Sequence, residues 1–302
     1  MKRLVFLTVL AACLAPSLAA AGPWTKGFGE HYVKVGADFY ATSDYADARS
    51  ADEGETAGFD NFFGQTYSVY GEVGVFPLWP IQLTVHLPVS VGRAVFYDTA
   101  LIGDGETGKT QTARLGDLRT SIQVAILRKP IQLGINLEVK VPLYSNGRVG
   151  FGLGPYRQWF PLPGDGQIDV TPMAVIGGGL PTKVPLWIEG GVGYRFRTEA
   201  FVGWETDLVF VDGIPFYAAV GLAPGPVWVV VRADGIKNIK DDNTTREHVT
   251  IGPSVGVTVW RGLAIEARVA GDVVAKNAPR GISFGAGVSW RWPNPATKPR
   301  SE

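Results

Sequence analysis

The chain is poor in the residues that carry thiol, redox and soft-metal chemistry, with one cysteine, two methionines and three histidines in 302 residues. The cysteine, Cys13, lies inside an N-terminal apolar run. Its setting, Leu10-Ala11-Ala12-Cys13, resembles the lipobox at which a bacterial lipoprotein is cleaved and acylated. The apolar run continues beyond it, however, and small residues follow as far as Ala21. With Lys2 and Arg3 ahead of Leu4 to Ala15, and Leu18-Ala19-Ala20-Ala21 after Pro16, residues 1–21 read as a cleaved signal peptide. Cleavage after Ala21 leaves a mature chain without cysteine, which excludes disulfides, thiol catalysis and Cys-ligated metals.

Long hydrophobic runs are also missing. The leader is too short for an anchor, and no later segment reaches the roughly 18 uncharged apolar residues of a membrane helix. Any membrane crossing must therefore use strands. An excess of one charge is missing too: 28 basic residues meet 28 acidic ones, and losing Lys2 and Arg3 leaves 26 against 28. A near-neutral chain gives no reason to expect a nucleic-acid partner. No linker or shift in composition divides it, so residues 22–292 read as one domain, followed by a polar tail, 293–302.

What is abundant is glycine, 39 residues, and tryptophan, 9 residues, a bias toward turns, close backbone contacts and interfacial indoles. The plainest pattern runs from Ile131 to Leu143. Ile131, Leu133, Ile135, Leu137, Val139, Val141 and Leu143 alternate with Gln132, Gly134, Asn136, Glu138, Lys140 and Pro142. This is the period of a strand with one aliphatic and one polar face, and it covers the roughly 9 to 11 residues that a tilted strand needs to cross a bilayer. The same period recurs at Ile81 to Val91 and Leu118 to Leu127. Further strands are expected at His31 to Ala41, Tyr67 to Phe76, Ile168 to Leu180, Leu186 to Glu199, Ile214 to Leu222, Val227 to Ile236, Val249 to Val259, Leu263 to Val273 and Ile282 to Trp292. Ile214 to Leu222 has the faintest alternation. The fold class expected is all-β, an antiparallel up-and-down transmembrane barrel of about twelve strands.

Connection lengths alternate as they do in such barrels, short on the periplasmic side and long outside. Pro77 to Pro80, Arg128 to Pro130, Pro181 to Pro185, Ala223 to Pro226 and Arg261-Gly262 form the short set. Thr42 to Phe63, Asp98 to Thr112, Ser145 to Gln167, Ala200 to Gly213 and Lys237 to Glu247 form the long set, with a brief turn near Asn277. An even strand count returns both termini to the periplasm. Trp24, Trp79, Trp187, Trp228, Trp260, Trp290 and Trp292 fall beside the short turns or termini, as an interfacial girdle requires. Phe39, Tyr40, Phe96, Tyr97 and Tyr144 would form the second girdle. The final strand resembles the aromatic-ended strand recognised by the barrel-assembly machinery, although here the polar tail follows it. Alternation alone also admits a soluble periplasmic barrel or sandwich.

If the aliphatic face meets lipid, the interior gains Glu30, Lys34, Asp38, Glu72, His86, Asp117, Arg119, Glu138, Lys140, Glu189, Arg195, Arg197, Arg232, Asp234, Glu266, Arg268 and Asp272. Their signs are mixed, so cross-strand ladders that neutralise one another and hold register are expected beside any solute path. Lumen-facing glycines at Gly36, Gly74, Gly92, Gly134, Gly191, Gly193, Gly252 and Gly256 would leave space or ease close packing.

The stretches GQTYSVYGEVGVF, GDLRTSIQVAIL from Gly116, and GVGYRFR ending at Arg197 resemble the putative MetA-pathway of phenol degradation family. The most distinctive parts are Gly116-Asp117 and Tyr194-Arg195-Phe196-Arg197. The resemblance implies an outer-membrane barrel akin to fatty-acid and aromatic-hydrocarbon channels, passing small apolar or aromatic solutes. It supplies no site motif to carry over. The third-loop aromatics Phe151, Tyr156, Trp159 and Phe160 are candidates for an apolar entrance or for a loop-packing cluster.

Expected partners are outer-membrane lipid and lipopolysaccharide, the assembly machinery and the solute. A structural or surface-interaction barrel with a charge-plugged lumen is the alternative. Catalysis is not expected: His31 has lipid-facing parity near the periplasmic end, His86 points inward and His248 sits at a strand edge, with no serine partner visible. No cofactor or metal is expected either, since Asp241-Asp242-Asn243 and the Asp52, Glu53, Glu55 loop lack calcium-loop spacing and read as solvated charge. Gly-Asp-Gly at Gly103 and Gly164 is turn chemistry.

Overall fold

The computed structural model describes residues 24–46, 59–96, 108–129, 131–144, 166–201, 210–241, 245–276 and 278–293. Its strands are β1 (His31–Ala46), β2 (Phe59–Gly74), β3 (Ile81–Phe96), β4 (Gly108–Leu115), β5 (Asp117–Leu127), β6 (Gln132–Pro142) and β7 (Gln167–Leu180). There follow β8 (Leu186–Gly193), β9 (Phe196–Phe201), β10 (Gly213–Leu222), β11 (Val227–Asn238), β12 (Glu247–Trp260), β13 (Leu263–Lys276) and β14 (Ala278–Trp292). Each pairs antiparallel with its neighbours, β1 pairs with both β2 and β14, and β3 pairs with β2, so the sheet closes on itself. β4 and β5 are one strand broken at Gly116, both pairing with β3. β8 and β9 are likewise one strand broken at Tyr194-Arg195, both pairing with β7. The architecture is a closed barrel of twelve antiparallel strands.

Side chains alternate across the wall as the pleat requires. Val33, Val35, Ile122, Ile135, Ile188, Val255, Ile265 and Phe284 stand exposed on the outer face, while Glu72, Asp117, Gln123, Lys140, Asp169 and Glu189 are buried on the inner one. A surface this apolar on the outside, over strands of 14 to 16 residues at β1, β2, β3 and β12 to β14, suits a lipid environment and not water. The tight β12–β13 connection uses Arg261 and Gly262, both at positive φ, the pattern of a two-residue hairpin turn.

Two expectations need correction. β2 begins at Phe59, eight residues before Tyr67, and ends at Gly74, while β4 begins at Gly108, so parts of the first and second long connections are strand. The tryptophans also divide. Trp79, Trp260, Trp290 and Trp292 are exposed as a girdle demands, whereas Trp187 and Trp228 are 3% and 8% exposed and face the interior. Their parity shows why: Trp187 shares a face with Glu189, and Trp228 with Arg232. In the second girdle Phe39 does lie outside, 6.4 Å from Phe63. Tyr40 instead turns inward to Asp272, and Tyr144 is buried on Asp117. The Phe96 side chain and Tyr97 lie outside what the structure describes.

Candidate functional site: the barrel lumen

Glu72, His86, Asp117, Arg119, Glu138, Lys140, Glu189, Arg195, Arg197, Arg232, Asp234, Glu266 and Arg268 have the parity opposite the exposed apolar positions of their strands. They differ in how much room surrounds them, and three levels can be distinguished.

At the short-turn end the chain itself enters the barrel. Residues 24–30 fold inward before β1, held by Gly29 N–H donating to the Gly74 carbonyl at 3.0 Å and Gly74 N–H donating to the Glu30 carbonyl at 2.9 Å. Lys26 donates its backbone N–H to Gln82 Oε1 at 2.9 Å and places Nζ 2.8 Å from Glu72 Oε2. Both side chains of that pair are at most 3% exposed. Burial pushes the Lys26 ammonium pKa down, and the Glu72 carboxylate opposes the shift. Trp24 packs on a cluster of Trp187, Ala223 and Trp228. Gly74 is required here, because a Cβ would come within 2.0 Å of the Gly27 carbonyl oxygen.

In the middle, inward-facing charges keep substantial exposure although the wall surrounds them: Arg119 and Arg232 are 39% exposed, Arg268 49% and Asp234 51%. That exposure is to space inside the barrel. The charges are nonetheless paired. Arg119 Nη1 lies 3.5 Å from Glu138, and Arg232 lies 3.6 Å from Glu189 and 3.4 Å from Asp234. Aromatic groups share this level. Tyr32, Tyr70 and His86 form a chain of ring contacts at 6.1 and 6.2 Å, and the Arg232 guanidinium lies 4.3 Å from the Tyr217 ring.

Several of these contacts skip a strand. Lys34 on β1 meets Glu266 on β13 at 2.9 Å, Asp38 meets Arg268 at 2.7 Å, and the Tyr40 hydroxyl donates to Asp272 at 2.8 Å. All three pass over β14, whose inner positions from Gly281 on are Gly281, Ser283, Gly285, Gly287, Ser289 and, at the short-turn end, Arg291. The Arg232–Glu189 pair similarly passes over Ala219 of β10, the cross-strand partner of both. The interior glycines therefore hold neighbouring side chains more than they hold empty space. Tyr217 covers Gly191, Trp228 covers Gly256, Val175 abuts Gly134 and Met173 abuts Gly193.

Toward the long-loop end, the β5–β9 wall is packed. Lys140 Nζ lies 2.8 Å from Asp169 and 3.8 Å from Asp117, and Arg195 Nε lies 4.0 Å from Asp169. The Tyr144 hydroxyl donates to Asp117 at 2.9 Å and accepts from Gly166 N–H at 3.0 Å. Arg197 Nη1 donates to Gln167 Oε1 at 3.3 Å. Asp169, Gln167 and Tyr144 belong to this network although the alternation did not single them out. Asp169 and Gln167 share the inward parity of β7; Tyr144, beyond the end of β6, offered no such signal.

The two strand breaks sit in the same wall. Gly116 donates its N–H to the Pro88 carbonyl at 2.9 Å, and a Cβ there would press within 2.9 Å of Pro88 Cγ. Tyr194 donates its N–H to the Pro172 carbonyl at 3.0 Å and its hydroxyl to Asp212 at 2.9 Å, with its ring 4.6 Å from Phe196. Gly116-Asp117 and Tyr194 to Arg197, the most distinctive segments of the sequence, thus mark where strands break and turn charges into the lumen. Phe151, Tyr156, Trp159 and Phe160 lie outside the described residues. Among the described residues no group of three or more His, Cys, Asp or Glu is placed to hold a metal ion.

No family model and no curated protein matches the sequence. Solved structures do match the fold. The COG4313 outer membrane channel from Pseudomonas putida F1 aligns with a TM-score of 0.67 at 12% identity, over 91% of this chain and 100% of that one. The translocator domain of autotransporter NalP from Neisseria meningitidis aligns at 0.45 and 12% identity, over 96% of each chain. At such identity the first likeness is one of fold, that of an outer-membrane β-barrel.

Proposed function

We propose that this chain is a passive outer-membrane channel for small apolar or aromatic solutes. The observation that carries the reading is the half-exposed state of Arg119, Arg232, Asp234 and Arg268 inside a closed wall. A barrel filled by its own side chains would bury them. Twelve strands enclose more room than the eight that side chains can fill, and the lumen keeps some of it. Tyr32, Tyr70, His86 and Tyr217 offer ring faces and edges to a planar solute, while the paired charges leave no strong field to select an ion. The likeness to a channel fold and the resemblance to the MetA-pathway family point the same way.

In this reading residues 1–21 direct export, 22–292 form the barrel and 293–302 a tail. The short turns and both termini face the periplasm. The assembly machinery inserts the chain, and lipopolysaccharide surrounds its outer loops. A structural barrel without transport is the second reading, favoured by the chain segment that lies across the short-turn mouth. The deciding experiment is solute flux through the purified protein in liposomes, comparing toluene-like compounds with small sugars. Preferential aromatic passage supports the channel; absence of any flux supports the structural barrel.

A further inference from the structure

The strut formed by residues 24–30 crosses the lumen from one wall to the opposite one. Lys26 is bound to β2 and β3, through Glu72 and Gln82, and Trp24 packs on Trp187 of β8, Ala223 after β10 and Trp228 of β11. Around the ring, β2, β1, β14, β13, β12, β11 and β10 follow one another, so β2 and β10 stand half of the twelve-strand circumference apart. A barrel with strands about 4.8 Å apart and tilted about 40° is roughly 24 Å across between backbones. Trp24 resting on the indoles of the β8 and β11 side, Lys26 reaching the other side and the backbone between them span that width.

The two anchors differ in kind. One is a buried ion pair beside a backbone hydrogen bond, with Lys26 Nζ also 5.6 Å from the Tyr32 ring. The other is an apolar contact without a hydrogen bond to hold it. Gly27 and Gly29, the latter at φ 73°, lie between this crossing and the first strand, so the segment has a pivot that the wall lacks. The lumen, with half-exposed charges in its middle, is thus crossed at one mouth by a piece of chain tied to both walls.

We propose that the Trp24–Lys26 arm of this strut is the gate of this channel, closed by the Lys26–Glu72 pair, the Lys26–Gln82 hydrogen bond and the Trp24 seat, and that solute reaches the short-turn side when the arm swings away from a base, Gly29 and Glu30, that stays bound to Gly74. The proposal rests on the passage reading above. It requires no movement of the barrel wall, and it places the rate of passage under the control of the contacts made by Trp24 and Lys26.

The test is single-channel conductance of the full chain in planar bilayers with potassium chloride, for the wild type, Trp24→Ala/Lys26→Ala, Lys26→Glu and the exchanged pair Lys26→Glu/Glu72→Lys. Heat-modifiable gel mobility verifies that each variant is a folded barrel. Low or flickering conductance is expected for the wild type, with a severalfold and steadier rise for Trp24→Ala/Lys26→Ala and for Lys26→Glu. The exchanged pair is expected to return toward the wild type, a reversal that general loosening of the barrel would not give. If the wild type already conducts as widely as the variants, the gate is overturned and passage stands. If no folded variant conducts, both the gate and the passage reading fall.

Discussion

Gly256 lies directly beneath Trp228: the two are paired across β11 and β12, and a Cβ on Gly256 would come within 2.2 Å of the indole. Trp187 over Gly221 repeats the arrangement between β8 and β10. Each indole thus lies flat against the wall in a notch left by its neighbour, and Trp24 is seated on the pair.

Gly256→Val must displace the Trp228 ring, an overpacking that costs about 1–3 kcal/mol. The expected result is a lower unfolding midpoint in detergent and a red-shifted tryptophan emission. The contrasting variant is Gly271→Ala on β13, where an added Cβ finds its nearest neighbour 3.9 Å away. That change should stay within about 0.5 kcal/mol. Unaltered emission in Gly256→Val would show that the indole does not occupy the notch.

The lumen's ion pairs should differ sharply in worth. Lys140 and Asp169 are 5% and 1% exposed, so Asp169→Asn takes from a buried ammonium its nearer carboxylate and leaves Asp117 at 3.8 Å. A loss of about 3–5 kcal/mol is expected. Arg268 and Asp38 are 49% and 31% exposed, and water in the lumen screens them. Asp38→Asn should cost less than about 1 kcal/mol. Chemical unfolding in micelles compares the two; equal losses would mean that the middle of the lumen is as dry as the β5–β9 wall.

Gly285→Val probes the crossing over β14 without altering a charge. Its Cβ would fall 2.1 Å from Asp38 Oδ1 and 2.8 Å from Arg268 Cγ, so the pair must part. In a double-mutant cycle, Asp38→Asn should then have no further effect in the Gly285→Val background. Strict additivity of the two would place the Asp38–Arg268 contact elsewhere.

Asp241, in the connection after β11, lies 2.9 Å from the Lys276 ammonium, whose hydrogen bond and charge hold the carboxyl below the usual aspartate range. A depressed folded-state value means that the pair contributes above the ordinary aspartate pKa and is lost as pH falls through the lowered one. Lys276→Met should raise the Asp241 titration midpoint in NMR, with the Lys237 charge keeping part of the lowering. The same titration midpoint in both proteins would show that the pair does not persist in solution.

Much of the barrel was legible in the alternation of strands such as β6, because a wall with lipid on one side and water on the other leaves opposite chemistry on successive residues. Where the contrast was faint the cause is visible. β10 carries Gly213, Pro215, Tyr217, Ala219 and Gly221 inward, and no charge, because Ile236, Trp187 and the Arg232–Glu189 pair lie across it. The start of β2 was missed because Phe59 and Phe62-Phe63 break the period. Trp187 and Trp228 were misplaced by weighing their nearness to turns above their parity. The strut at 24–30 left no periodic signal, since it ends in a short turn from Gly27 to Glu30 and its partners on the wall, such as Gln82, are far away in sequence.

The small inner face of β14 has a consequence for how the barrel forms. β14 is the last strand and β1 the first, so their meeting converts an open sheet into a ring. Because Lys34, Asp38 and Tyr40 reach past β14 to Glu266, Arg268 and Asp272, that meeting engages β13 as well. A seam slipped by two residues keeps its backbone hydrogen bonds and its lipid-facing side chains, yet sets each of these groups opposite the wrong partner. The register of β1 is proofread by a strand with which it does not pair.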